Sequence, residues 1–124
     1  GASDLLRTVL GFASLSPELP IISKGNAGIP KFLNGEIHYD GTPELMSEYA
    51  ILARDSGAKI IGGCCGTTPD HLKAMKFALE TRPTSEKPSL TKIVTELGEF
   101  SSSSDGIDDT VTTSRRRGRR RLKT

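Results

Sequence analysis

Tryptophan is absent from this sequence, aromatic residues make up 5% of it, and cysteine occurs only at two adjacent positions, Cys64 and Cys65. A disulfide framework is thereby excluded. Neighbouring Cα atoms lie about 3.8 Å apart, below the usual disulfide span, and can close only a strained ring. The lack of further cysteines suits a reducing compartment, so a cytoplasmic location is expected. No apolar run approaches the roughly 20 residues that a membrane helix needs. Asp4 and Arg7 interrupt any signal-peptide core in the first ten residues. The chain opens GASD, without methionine, and so reads as processed or as part of something longer.

What is present is ordinary in amount and uneven in placement. With 124 residues and 35% hydrophobic content, the chain suits one small domain. Its net charge is +2, yet the seven basic and three acidic residues from Ser101 onward give +4, which leaves −2 for residues 1–100. The closing RRRGRRRLKT (Arg115 to Thr124) has no aromatic residue among its charges, so base stacking is not suggested and specific nucleic-acid binding is not expected. Residues 101–124 are rich in Ser, Thr, Asp, Gly and Arg, hold almost nothing to bury, and are expected to be a disordered tail.

Upstream, hydrophobic spacing predicts alternating elements. Leu5, Leu6, Val9, Leu10 and Ala13 mark one face of a helix from Ser3, a candidate N-cap, to Leu15. PIISK (20–24) predicts a short strand, and Gly25, Asn26 and Gly28 then permit unusual backbone angles. The stretch on to Gly41 is expected to be a long loop with a small hairpin turned at Asn34-Gly35. Thr42-Pro43-Glu44 is a helix start, with Leu45, Met46, Tyr49, Ala50, Leu52 and Ala53 as the apolar face and Gly57 as the stop. AKIIG (58–62) predicts a second strand. Thr68-Pro69-Asp70 starts a helix containing Leu72, Met75, Phe77, Ala78 and Leu79, and Leu90 to Leu97 predicts a last short one.

This alternation predicts an α/β fold with a parallel sheet and right-handed crossovers. Two strands cannot bury both faces and close their edges. Residues 1–82 are therefore expected to be the end of a larger α/β fold, 83–100 a short helical extension, and 101–124 the tail.

The cysteines follow Gly62 and Gly63 at the C-terminal end of the second strand, where parallel α/β folds gather their ligands. Mid-strand neighbours point to opposite faces, but at a bent strand end two adjacent side chains can converge on one metal. Zinc suits thiolates at roughly 2.3 Å in tetrahedral geometry, and two cysteines alone do not complete its shell. His38, in the long loop, and His71, expected to pack locally or face solvent, are poor third ligands. Buried small apolar residues and reactive thiols remain alternatives for the pair. So does a phosphate-binding strand end using backbone N–H groups at Gly25, Gly28, Gly62 and Gly63, which two thiolates would disfavour. Thr67 and Thr68 are expected to be caps.

GNAGIP (25–30), DGTPELMSEYA (40–50) and SGAKIIGGCCGTTPDHLKAM (56–75) resemble the C-terminal part of the homocysteine-binding (homocysteine S-methyltransferase) domain family. The resemblance covers roughly residues 1–82 and is most specific in GGCCGTTP; the opening GASDLLRTVLGFA is similar to a bacterial betaine–homocysteine methyltransferase-like branch. It implies that the chain is a C-terminal fragment holding about the last two βα units of a (β/α)8 TIM barrel. It also implies Zn2+ held by three cysteines: Cys64, Cys65 and one from a Gly-x-Asn-Cys motif expected upstream of Gly1. Asn26 is similar to an asparagine near the substrate, where it either contacts homocysteine or shapes the turn. The implied reaction is methyl transfer to the thiol of homocysteine, giving methionine, from a betaine-like onium compound or methylcobalamin. A free thiol near pKa 8.5 is mostly protonated at pH 7, and zinc would present it as thiolate. A chain lacking the third cysteine is expected to be inactive alone. The alternative function is a non-catalytic fragment that binds anionic partners through its Arg-rich tail.

Overall fold

The computed structural model describes residues 1–16, 18–28 and 30–100. The expected disordered tail lies outside the described residues. The elements are α1 (Ala2–Leu15), β1 (Ile22–Gly25), β2 (Pro30–Leu33), β3 (Glu36–Tyr39), α2 (Pro43–Ser56), β4 (Ile60–Gly63), α3 (Pro69–Thr81) and α4 (Leu90–Leu97). β1 and β4 pair in parallel, with Ile22 opposite Ile60 and Gly25 opposite Gly63. β2 and β3 form an antiparallel hairpin, with Pro30 opposite Tyr39. The chain is thus α/β. The expected hairpin turns at Asn34 and Gly35, whose φ angles of 51° and 79° are those of a two-residue primed turn.

α2 begins and ends as its residues dictate. The N–H of Leu45 donates to the Thr42 hydroxyl at 3.1 Å, Pro43 occupies the first turn, and the helix stops at Gly57. α1 corrects an expectation. It begins at Ala2, so Ser3 lies inside the helix and is not its cap. Ser3 is on the buried face, and its hydroxyl donates to the Gly98 carbonyl at 2.7 Å.

The core forms around α2. Met46, Tyr49, Ala50, Leu52 and Ala53 pack with Leu6 and Val9 of α1, Met75 of α3 and Ile93 of α4. Burial alternates along β1, so Ser23 and Gly25 face inward. Ser23 Oγ meets Tyr49 Oη at 2.5 Å. Burial pushes the Tyr49 phenol above its ordinary pKa, against the opposing hydrogen bonds from Ser23 and Gly25.

The other face of the parallel sheet is bare. Ile22 and its partner Ile60 are 61% and 56% exposed. Two apolar residues of the expected helix, Leu72 and Phe77, lie on α3 and are 48% and 67% exposed. Leu72 borders an open apolar groove of about 420 Å³ with Ile61, Met75 and Leu79. The expected helix forms, but among the described residues no further strand lies beside β4 to cover it.

Residues 83–100 share the main core through Ile93. Arg54 donates to the carbonyls of Arg82 and Pro83 at 2.7 Å each. Buried Asp55 accepts from Ser85 N–H at 3.2 Å, and the Arg7 guanidinium lies 4.2 Å over the Phe100 ring. Among the described residues, no helix is long and apolar enough to cross a membrane.

Candidate metal centre

β1 and β4 end at the same level, and the cysteines begin one residue later. Cys64 N–H donates to the Gly25 carbonyl at 2.9 Å, which extends the ladder by one step. The chain then turns sharply, closed by Thr67 N–H to the Cys64 carbonyl at 3.1 Å. Gly66, at φ 75°, takes the third place of this turn, where a positive φ favours glycine. Cys65 takes the second place.

Both thiols are free and exposed, with Sγ atoms 3.9 Å apart. Two sulfurs on a tetrahedral zinc, each at about 2.3 Å, stand roughly 3.8 Å from one another. The pair therefore sits at chelating distance, far outside a disulfide bond. Among the described residues, no three His, Cys, Asp or Glu side chains come together to hold a metal. Cys64 and Cys65 fit as two ligands of a zinc shell, and a third would come from outside this set.

Loops from both sides hold the turn. Asn26 Oδ1 accepts the Cys65 N–H at 3.1 Å, and the Cys65 carbonyl accepts from Ala27 N–H at 2.9 Å. Both polar backbone groups of Cys65 are thus tied to the loop after β1. Ala27 in turn accepts from Gly41 N–H at 2.8 Å. The backbones approach so closely that a Cβ on Gly41 would fall 2.3 Å from the carbonyl carbon of Ala27.

His71 does not simply pack or face solvent. Its Nδ1 accepts from Thr68 N–H at 3.1 Å and meets Thr68 Oγ1 at 2.7 Å. Nδ1 as acceptor puts the proton of the neutral ring on Nε2, which donates to the Gly41 carbonyl at 2.6 Å. One side chain thereby caps α3 and fastens the start of that helix to the loop before α2. Thr68 is the cap partner. Thr67 is not a cap: its Oγ1 is the buried side-chain oxygen without a partner among the described residues. His38 lies exposed on β3, with Nε2 3.9 Å from Glu36.

Tyr39 is the site residue that the sequence reading passed over. Its ring packs on Gly66, where an added Cβ would stand 2.3 Å from Tyr39 Cγ. Its phenol is pushed above its ordinary pKa by desolvation first, then by the charge and hydrogen bonding of Cys65 and the charge of Cys64. Three loops therefore border the thiols: the one after β1, the hairpin end, and the turn itself. Of the four glycines considered for a phosphate, Gly28 already donates its N–H to the Asn26 carbonyl, at 2.8 Å. The N–H groups of Ala27, Gly28, Cys64, Cys65, Thr67 and Thr68 all donate within the protein.

Two thiols at chelating distance beyond a parallel strand are a donor pair whose chemistry suits soft metal ions. The family comparison is specific. The homocysteine S-methyltransferase family model matches residues 2–79, and the chain belongs to that family.

Proposed function

We propose that this chain carries two of the three thiolates of a zinc centre that transfers a methyl group to the sulfur of homocysteine, within the C-terminal part of a (β/α)8 barrel. The carrying observation is the 3.9 Å separation of two exposed thiols at the end of a parallel strand in a homocysteine S-methyltransferase family chain. The bare sheet face beside Ile22 and Ile60 supports the barrel reading, since parallel sheets are covered on both faces. The third thiolate comes from outside the described residues.

Zinc, when bound, supplies Lewis acidity that keeps a substrate thiol deprotonated at neutral pH. The chain's own residues do the rest. Cys64 and Cys65 hold the metal, and their thiolate charge favours attack by the substrate sulfur on a cationic methyl carbon. The sulfur–carbon bond forms as the donor's bond to that carbon breaks, and the donor leaves with the electron pair. Asn26 positions Cys65 through Oδ1, which leaves its amide N–H groups as the donors to offer homocysteine. Tyr39 narrows access from the hairpin side.

Zinc K-edge absorption on the full chain tests this. Two sulfur neighbours at about 2.3 Å are expected, and a third when homocysteine is added. Unchanged zinc retention and sulfur count after Cys64→Ser and Cys65→Ser would reject the assignment.

A further inference from the structure

We infer that His71 is a positioning residue for the cysteine pair, acting through the Gly41 carbonyl. The inference rests on the zinc reading only for its purpose, since the geometry concerns the thiols themselves. Nε2–H holds Gly41, Gly41 N–H holds the Ala27 carbonyl, and Ala27 N–H holds the Cys65 carbonyl. Each step is between 2.6 and 2.9 Å. Asn26 Oδ1 closes the series on the Cys65 N–H. The turn makes a 3.9 Å sulfur separation attainable, and this series keeps its second residue in one orientation. Without the imidazole, the loop before α2 is tied to Ala27 but no longer to the start of α3, and the two sides of the thiol turn can separate.

The two ring nitrogens have different jobs, and two substitutions divide them. His71→Asn places an oxygen near the Nδ1 position, keeping an acceptor for Thr68 and losing the tie to Gly41. His71→Gln places an amide N–H near the Nε2 position, keeping a donor for Gly41 and losing the Thr68 acceptor. The probe is a bis-electrophile that fluoresces only when both arms have alkylated thiols. Two S–C bonds form, and two halides and two protons leave. Its two-arm rate on the full chain is normalised to one-arm alkylation. His71→Asn is expected to slow closure by roughly fivefold to tenfold, the weight of one such hydrogen bond, while His71→Gln stays within about twofold. Melting temperature controls for simple destabilisation, because loss of the α3 cap makes His71→Gln the less stable protein. Closure in His71→Asn as fast as in the unsubstituted chain, or equal slowing in both variants, overturns the inference. Titration with Cd2+ separates it from the zinc reading. Cd2+ binding indifferent to both cysteines rejects the metal assignment and leaves the closure rates to judge His71.

Discussion

Gly66→Ala is the sharpest test of how the thiol turn is built, because the structure assigns it two separable costs. At φ 75° an alanine is strained by about 1–2 kcal/mol. Its Cβ would also stand 2.3 Å from Tyr39 Cγ, so the ring must retreat by about 1 Å to reach ordinary contact, and overpacking of this kind costs about 1–3 kcal/mol. The single variant is thus expected to lose about 2–5 kcal/mol. Tyr39→Gly removes the ring and also the Tyr39 Cβ, which would stand 2.6 Å from the added methyl, but not the backbone strain, so Gly66→Ala made in that background is expected to cost only about 1–2 kcal/mol. Urea unfolding of the four proteins completes a double-mutant cycle with an expected coupling of about 1–3 kcal/mol. A coupling below about 0.5 kcal/mol would show that Tyr39 does not rest on the thiol turn, and its place beside the cysteines would fall with it.

Two further outcomes follow from the core. The Tyr49 phenol has a raised pKa in the folded state, so its contribution is fully present below the ordinary tyrosine value near 10 and is lost as pH rises above it. Tyr39 acts in the same direction. Tyr49→Phe is expected to flatten this alkaline loss while lowering stability at pH 7 by about 1–2 kcal/mol, because Ser23 Oγ is left buried and unpaired; denaturation at pH 7 to 11 reads both effects. Ile93→Ala is expected to cost about 2–5 kcal/mol in one cooperative transition if 83–100 is part of the core, and a near-neutral result would detach α4 from it.

The sequence showed its own elements well and their surroundings poorly. The helix start at Thr42-Pro43 and the turn at Asn34-Gly35 rest on local chemistry, and they fold where that chemistry lies. Ser3 misled because a cap residue near a helix start looks the same one place too far inside. Leu72 and Phe77 fold into α3 as expected, but their exposure was not legible, because apolar residues identify a helix and not whether anything covers it. Cys64 and Cys65 were legible as a pair because the turn that joins them is local. Tyr39 was not, since only the hairpin register brings it over Gly66, 27 positions along the chain. For His71 a signal was there: it stands three residues after the N-cap Thr68, the place from which a side chain reaches back to the cap N–H. A histidine there has a second nitrogen to give away, and Gly41 takes it.

Adjacent ligands place the burden of the site on direction more than on distance. Two cysteines one residue apart reach a chelating separation through a single turn, with little loop-closure entropy to overcome between them. Yet the same turn in a free loop would sample many orientations, and an ion held by two thiols needs both sulfurs aimed at one point. In this chain the N–H and carbonyl of Cys65 are both bonded to the loop after β1, and Cys64 continues the ladder with Gly25. The thiol turn is therefore fixed on its β1 side, while its far side depends on Tyr39 against Gly66 and on His71 against Gly41. Those two contacts belong to side chains, so they can be removed one at a time without altering the cysteines. The spacing of the sulfurs should then follow His71 and the shielding of the sulfurs should follow Tyr39, a separation that a merely well-packed loop would not produce.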